Sequence, residues 1–574
     1  MPKLINLIKQ NFPLKKYLFI VYLFICNAVS AQVELIGISN PVYDFLKRMQ
    51  ITGVIPDYNS SLIPKSGYEI VENLKLIKDS FNLLSKTDKK MFSDFEKEFE
   101  YDMYKSKKLQ YSVIGNENFS NIFNNDRQKH LFFYFDSNFV FSADIKGALS
   151  QRNSDGDSLK NNSILLGDVG IDFSGTLFNS VGFFLNLKNG NIVSGNDSDI
   201  SFAAYTDPSL RGNPNFYFDK KNYNSFEGHL RYQTNSNWLS LTFGRASLLN
   251  GKSFIDNLFL SDNSVPFDFG KIDLQYKSLS YSFFYGSIKG DTTEIFPFTK
   301  QIPLNSKNIV SHYLNINFSP KFRMGLWESV IISNQPFSFT YLNPVSFLTS
   351  ADLSTGKDNT TENNSLIGID MEILPFKNIS FQSSLLIDDL TFGTLFDDDS
   401  LNENKFGWQF GLLWENSLNM KTAVEFTHLD PFVYSHRSNK STFTHYELPL
   451  GHSLPPNSDE IAVEFDYDIT NRLNVNFLFR HQRSGEGIIV DSAGVIKANY
   501  GGNIYFGEGD AYLRTNNFLD GNRVNRDFYT VNVLWEPIKQ YFVEGKFQYS
   551  VIDNVSTGKK FYDKYYFASL KINL

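Results

Sequence analysis

The chain has 574 residues and a net charge of −8 at pH 7, from 54 Lys and Arg against 62 Asp and Glu. An acidic chain lacks the basic surface that nucleic-acid binding requires, so no nucleic-acid partner is expected. It contains one cysteine, Cys26, which excludes a disulfide framework and a metal held by several cysteines.

The N-terminus has the pattern of an export signal. Four lysines precede or border the short apolar core YLFIVYLFIC (17–26), and small residues ending in Ala31 offer a cleavage site before Gln32. The apolar run is too short to span a bilayer comfortably. We therefore predict a signal peptide over residues 1–31, cleaved after Ala31. Its removal takes away four lysines and Cys26, so the mature chain has a net charge of −12 and no cysteine.

Residues 32–110 are predicted to form a small helical module. Ser39 or Asn40 can cap a first helix that has Pro41 in its first turn. Ser66-Gly67-Tyr68-Glu69 is a capping box, followed by apolar residues at helical spacing. A charged helical segment follows at about 88–105. The module is too small to be an independent enzyme but large enough to plug a larger domain on its periplasmic side.

Residues 111–574 are predicted to form a transmembrane β-barrel of the outer membrane. From about His130 the hydrophobic period is two, as in 542–551, where apolar and polar residues alternate. Aromatic residues make up 16% of the chain, yet its mean hydropathy is −0.27. After residue 31 no apolar run approaches the roughly 18 residues that a membrane helix needs. An apolar outer row and a polar inner row on each strand explain both observations.

The lengths of the connections give the barrel its orientation. In an outer-membrane barrel the periplasmic turns are short and the extracellular loops are long. Counted back from the C-terminal strand, the connections at 536–540, 468–471, 415–420, 374–378 and 319–320 are short. Those at about 484–526, 430–458, 389–404, 334–364, 288–309 and 245–268 are long. The count gives about 18 antiparallel strands, the first beginning near residue 131, and places both ends of the barrel in the periplasm.

The segment 430–460 is the strongest candidate for a binding site. Five of the eight histidines fall within 428–481, but their spacing matches no compact ligand motif, so a metal is a minor alternative. Aromatic faces mixed with planar donors and acceptors are typical of sugar-binding surfaces. The predicted carbohydrate-binding residues are Phe432, Tyr434, His436, Arg437, His445, Tyr446 and His452.

No catalytic or cofactor motif stands out. The chain contains neither Gly-x-Ser-x-Gly nor His-Glu-x-x-His. Residues 244–253 end like a phosphate-binding loop, but six residues separate the glycines where that loop has four. We expect no enzymatic activity and no cofactor.

Several stretches resemble the Wzi family of outer-membrane capsule assembly proteins, in particular its Bacteroidetes-type members. They are NPVYDFLKRMQITGVIP (40–56), FGRASLLNGKSFIDNLFLSDNSVPFDFGKIDL (243–274), YLNPVSFL (341–348) with its sequel at 365–389, and DPFVYSHRSN with THYELPLGHSLPPNSDEI (430–461). The last is the most specific, although Leu454-Pro455-Pro456 stands where a glycine-containing turn is usual in the family.

The resemblance implies an eighteen-stranded barrel in the cell outer membrane, closed by a helical bundle at its periplasmic end. It implies a lectin-like protein that binds capsular or extracellular polysaccharide at the cell surface and anchors or organises it there. Outer-membrane lipid would be the second partner. The alternative is a porin-like solute channel with the helical module as a plug.

Overall fold

The computed structural model describes most of the chain after residue 31. The described ranges are 32–115, 119–211, 222–290, 306–333, 338–350, 363–390, 404–416, 418–436, 439–490, 492, 496–507, 513–514 and 517–574. The predicted signal peptide and Arg437 lie outside these ranges. Within them, no helix has both the length and the apolarity needed to cross a membrane.

The N-terminal region is helical, as predicted. Its helices are α1 (Val42–Ile51), α2 (Gly67–Asp79), α3 (Lys86–Glu98) and α4 (Glu100–Tyr104). Asn40 Oδ1 accepts the Val42 amide at 2.9 Å, and Ser66 with Glu69 forms the expected capping box at the start of α2. The apolar faces of these helices pack on one another, since Phe45, Leu74 and Ile77 are fully buried in one cluster.

In the described part of the chain after this region, eighteen strands follow one another in chain order and form a closed antiparallel barrel. They are β1 (Phe139–Gly156), β2 (Asn162–Leu177), β3 (Val181–Ser194), β4 (Asn222–Gln233), β5 (Leu239–Ala246), β6 (Phe267–Tyr276), β7 (Leu279–Lys289), β8 (Ser306–Ser319), β9 (Phe322–Ser333), β10 (Asn364–Phe376), β11 (Ile379–Asp389), β12 (Lys405–Glu415), β13 (Met420–Leu429), β14 (Ser458–Thr470), β15 (Leu473–Glu486), β16 (Asn522–Ile538), β17 (Tyr541–Asn554) and β18 (Lys559–Asn573). Strand β18 pairs with β1 from Asp563↔Gly156 to Asn573↔Lys146 and closes the barrel.

The predicted strand number and alternation of connections are confirmed. We call the end with the short connections the turn end and the opposite end the loop end. The first barrel strand begins at Phe139 and not near 131. Residues Phe132–Phe135 form a short extra strand that pairs with the start of β1 and turns back at Asp136, whose carboxylate accepts the Asn138 and Phe139 amides.

Alternation along each strand separates an apolar outer wall from a polar interior. On β12, Phe410, Leu412 and Trp414 point outward and are 57%, 38% and 46% exposed. Gln409 on the same strand points inward and is buried. This is the pattern of a barrel whose outer face meets lipid and whose inner face meets polar groups.

The helical module closes the turn end of the barrel through ion pairs. Arg48 on α1 contacts Asp468 and lies 3.6 Å (Nε to Oε2) from Glu415, both on the barrel. On α3, Asp94 accepts two hydrogen bonds from Arg472, at 2.9 and 3.2 Å. Ile51 packs against Leu374 and Leu413, which line the turn end. The contacts reach from β10 to the β14–β15 turn, so the module bridges widely separated strands.

The Asp94–Arg472 contact predicts acid-sensitive docking of the module. Burial opposes ionisation of Asp94, but the hydrogen bond from Arg472 and the charge of Lys539 lower the pKa of its carboxyl from 3.8 to about 2. Because the folded pKa is the lower one, the stabilisation is complete above pH 4 and lost as the pH falls through 2. It is worth roughly 2 kcal/mol. We expect protease resistance of the module to decline over this window, and the decline to be shallower in Asp94→Asn. Equal acid dependence in both proteins would contradict this.

One connection covers the outer wall. Residues 338–350, which include the YLNPVSFL stretch, lie over the outward faces of β7–β9, where Tyr341 and Leu348 pack with Phe283 and Val330. Glu328 faces outward there and pairs with His312, at 2.8 Å between Oε2 and Nε2. The Leu348 amide donates to the same carboxylate at 2.8 Å. The connection therefore covers a hydrogen-bonded histidine–glutamate pair on the apolar wall.

Candidate functional site in the barrel interior

Two long connections fold into the barrel from the loop end. They are the β5–β6 loop (247–266) and the β13–β14 loop (430–457). Phe259 of the first stacks on Trp327 of the wall, with ring centroids 4.1 Å apart, and lies 6.5 Å from the ring of Phe443 in the second. The β5–β6 loop descends far enough for Leu249–Asn250 to pair with Leu62–Ile63 of the helical module. These loops form a buried apolar core within the barrel.

Tyr434 fastens the β13–β14 loop to the β5–β6 loop. Its hydroxyl donates to the Leu258 carbonyl and accepts the His452 amide at 3.3 Å, and its own amide donates to Asp388 at 2.6 Å. The side chain is fully buried, which raises the pKa of its phenol well above the ordinary value. The φ angles of Phe432 and Tyr434 are +69° and +67°, a strained region for such residues that surrounding contacts must maintain.

The two buried histidines of this loop are also held by backbone groups. The Lys289 amide donates to His445 Nδ1 at 2.9 Å, and burial lowers the pKa of His445 to about 3, so its ring is neutral. The Leu454 amide donates to His452 Nδ1 at 3.0 Å, and His452 Nε2 lies 3.3 Å from Thr427 Oγ1.

The seven predicted sugar-binding residues do not form one open surface. Phe432, Tyr434, His445 and His452 are at most 2% exposed and act as packing and anchoring groups of the loop. His436 and Tyr446 are partly exposed, and Arg437 lies outside the described residues. The segment belongs to one of the long connections predicted from the sequence, and apolar contacts with the β5–β6 loop draw it into the barrel. Direct sugar contact by these residues stays a prediction.

An interior polar cluster lies where the packed loops meet the partly open side of the barrel. We define it as Asp256, Ser453, Glu460, Arg480 and Gln482. The amide and hydroxyl of Ser453 both donate to Asp256 Oδ2, at 2.9 and 2.7 Å. Arg480 and Gln482 donate to opposite oxygens of Glu460, at 3.3 and 2.6 Å. Ser453 is exposed and the Arg480 side chain is 19% exposed, so donors and acceptors remain accessible.

An aromatic side chain borders this cluster. Phe528 on β16 is the direct cross-strand partner of Arg480 and points to the same, inward side. It is partly exposed, as are the inward-facing Asn476 and Gln482, whereas the inward-facing Glu372 and Ser380 of β10 and β11 are buried. A ring beside a guanidinium, an amide and a hydroxyl offers what a sugar needs, an apolar face and planar hydrogen-bonding groups.

Sequence reasoning missed the interior polar cluster. Arg480 and Gln482 do occupy the inward positions that the period of two assigns on β15, and that signal could have selected them. Asp256 could not be found in the same way, because it meets Ser453 across 197 positions of sequence. In the part of the chain that is described, no group of three or more His, Cys, Asp or Glu residues is placed to hold a metal ion.

The comparisons with known proteins agree with this architecture. The family model of the capsule assembly protein Wzi matches residues 141–550. Wzi of Escherichia coli, described as an outer membrane protein involved in group 1 capsule assembly and as a carbohydrate-binding β-barrel, is 12% identical. Its TM-score is 0.52 over 95% of this chain and 99% of that one.

Two other solved structures are less similar. OprD of Pseudomonas aeruginosa is 8% identical, with a TM-score of 0.41 over 76% of this chain and 95% of that one. A BenF-like porin from Pseudomonas fluorescens is 9% identical, with a TM-score of 0.42 over 75% and 99%. No curated protein sequence matches the chain.

Proposed function

Because this chain belongs to the Wzi family of capsule assembly proteins and is an outer-membrane β-barrel, we propose that it binds capsular or other exported polysaccharide and organises it at the cell surface. The loop end faces outward and the helical module, residues 32–110, closes the periplasmic end. The outward apolar wall meets outer-membrane lipid. The protein acts by binding and not by catalysis.

The observation that carries this proposal is the interior polar cluster beside Phe528. Its guanidinium, amide, carboxylate and hydroxyl groups are held by one another, so they keep their orientation before a ligand arrives. Preorganised groups bind with less loss of conformational freedom. Access from the loop end is consistent with the exposure of Ser453. A segment of a polysaccharide chain inserted at this end would meet the ring and the polar groups together.

The test is deletion of the gene followed by separate measurement of cell-bound and released polysaccharide. We expect total polysaccharide to stay constant while the cell-bound fraction falls, and a plasmid copy to restore it. An unchanged cell-bound fraction in the deletion strain would refute the proposal. Incubation of purified polysaccharide with the protein should leave its chain length unaltered, because no cleavage is proposed.

Substitution in the interior polar cluster should weaken binding without unfolding the barrel. We expect Arg480→Ala combined with Phe528→Ala to reduce affinity for purified polysaccharide by about 100-fold, since each lost anchor costs roughly 1–3 kcal/mol. The matched control is Arg483→Ala, which removes an arginine from the same strand on its outward side. Titration by calorimetry or fluorescence measures both. Equal losses of polysaccharide affinity in the double variant and in Arg483→Ala would exclude the interior polar cluster as the binding site.

A second candidate, a solute channel, is favoured by one observation. The inward-facing side chains of β15, such as Asn474 and Asn476, remain partly exposed. A channel would conduct in planar bilayers, and weakening the module with Arg48→Ala would raise its conductance. The sugar-binding proposal predicts low conductance in the intact protein, because the module closes the turn end.

A further inference from the structure

The first described residues lie in a buried site with two carboxylates. Residues 32–35 run between α2 and the turn end of the barrel. Val33, Glu34 and Leu35 are 2–5% exposed, and Asp102 on α4 is 6% exposed. The barrel wall approaches so closely at Gly182 that an added Cβ would lie 2.3 Å from the Glu34 nitrogen. This segment is therefore built into the interface between the module and the barrel.

Gln32 lies between the two carboxylates. Its backbone nitrogen is 3.0 Å from Asp102 Oδ1. With the side-chain amide oriented to donate, its nitrogen lies 2.8 Å from Asp102 Oδ2 and 3.1 Å from Glu34 Oε1. The remaining oxygen of Glu34, Oε2, accepts the Thr176 hydroxyl at 2.8 Å. Both acidic groups thus converge on one residue.

If another residue precedes Gln32, the Gln32 nitrogen is an uncharged amide and offers no positive charge to the two carboxylates. Lys105 and Lys75 act on Asp102 through their charge, but among the described residues neither is in salt-bridge contact with it. Burial and the proximity of Asp102 raise the pKa of Glu34 to about 8, and burial raises the pKa of Asp102 to about 7. Two buried carboxylates without a cation in direct contact are costly, because each loses its hydration and repels the other.

We propose that Gln32 is the first residue of the mature chain and that its α-ammonium group is the cation of this buried site. Two independent observations meet here: the sequence predicts cleavage between Ala31 and Gln32, and the folded chain holds the Gln32 nitrogen against Asp102. Hydrolysis by an export peptidase consumes one water, leaving a carboxylate on Ala31 and an amine on Gln32 that is protonated at neutral pH.

The consequence is that removal of the leader completes the docking of the module. Before cleavage the nitrogen is an amide that can donate one hydrogen bond. After cleavage it carries a full charge and three donors, and it lies 3.0 Å from Asp102 Oδ1. A buried ion pair with several hydrogen bonds is far more favourable than the same carboxylates unpaired. Only a chain cut at this bond places the charge correctly.

The first experiment determines the mature N-terminus. The full chain is expressed with its own leader, purified from outer membranes and analysed by intact mass and by sequencing of its N-terminal peptide. We expect Gln32 as the first residue, with a free amine. A different first residue, or a Gln32 cyclised with loss of ammonia, would overturn the proposal, since neither provides the cation.

The second experiment tests the ion pair by a double-mutant cycle. One variant has Ser-Gly inserted between Ala31 and Gln32, its first residue verified by mass; the other is Asp102→Asn. The readout is the denaturant midpoint for protease release of the module from the folded barrel. We expect each change to lower the midpoint and the insertion to add little when Asp102 is already Asn. Fully additive effects would overturn the proposal. Asp79→Asn, at an exposed acidic residue of α2, is the control and should be neutral.

The pH dependence shows whether the insertion weakens docking by removing an ion pair or only by steric interference. In the extended form the two carboxyls have no ammonium partner and their pKa values are raised from 4.5 to about 8 for Glu34 and from 3.8 to about 7 for Asp102, so docking should weaken as the pH rises from about 4 to 8 and level off above that. The natural form should keep its midpoint over that range. The other titratable groups facing the pair are His229 on β4, Lys75 on α2 and Lys105 after α4, and they are common to both forms. Parallel pH profiles would overturn the proposal.

Discussion

Replacing Arg48 with alanine should release the helical module from the barrel. Arg48 is 7% exposed and contacts three carboxylates, those of Asp88, Asp468 and Glu415. The substitution leaves all three without their common cation. Removing one partner of a buried ion pair costs about 3–5 kcal/mol, because the remaining charge stays desolvated and unpaired. We expect residues 32–110 to become sensitive to protease while the barrel keeps its resistance to denaturation by detergent.

Two further variants show whether charge or geometry is responsible. Arg48→Lys keeps the charge but loses the planar guanidinium that reaches several carboxylates, so we expect an intermediate loss of the module's protease resistance. Lys78→Ala removes a cation from an exposed pair with Glu96 on the same module, and such pairs contribute at most about 1 kcal/mol. An Arg48→Ala protein whose module is as resistant as that of the natural protein would show that the apolar contact of Ile51 with Leu374 and Leu413 suffices for docking.

The fold could be predicted because its signals are local. The capping box at Ser66–Glu69 spans four residues, and the period of two on strands such as Tyr541–Asn554 is visible within one strand. Turn lengths are equally local and fixed the alternation of the two barrel ends. The start of the first strand was misplaced because Phe132–Phe135 has the same period and is separated from β1 only by the Asp136 turn.

The candidate site could be predicted only in part, because burial of the loops is decided by distant contacts. The β13–β14 loop is rich in histidine, proline and aromatic residues, and the same composition suits an exposed sugar-binding loop. What buries it is Tyr434 bonded to Leu258, 176 positions away, and Phe443 packed near Phe259. No periodicity within 430–457 reveals those partners. The sequence therefore predicts the position of this loop between two strands, but not the burial of its side chains.

Tyr434→Ala should abolish polysaccharide binding although the side chain is fully buried. The substitution removes a large ring from the packed loops and the hydroxyl that joins Leu258 to His452. Truncating a buried aromatic residue costs about 3–5 kcal/mol. The strained backbone at Phe432 and Tyr434 then loses the contacts that hold it. We expect the β13–β14 loop to become accessible to protease, Ser453 to leave Asp256, and the affinity for polysaccharide to fall below detection while the barrel stays folded.

Gly451→Ala tests the same contact from its other side. A Cβ at this position would lie 2.4 Å from the Leu258 carbonyl oxygen and 2.6 Å from the Tyr434 hydroxyl, so the two loops must separate. Gly545→Ala is the matched control, since nothing lies within 4 Å of a Cβ added on this outward barrel position. Tyr434→Phe keeps the ring and leaves only the hydroxyl's buried partners unpaired. It should lower the stability of the packed loops by only about 1–3 kcal/mol and should retain polysaccharide binding. If Tyr434→Ala and Gly451→Ala bound polysaccharide normally, the packed loops would not be what positions the interior polar cluster. If Tyr434→Ala and Gly451→Ala lose polysaccharide binding while Gly545→Ala and Tyr434→Phe keep it, the two loops act together as a rigid support for that cluster.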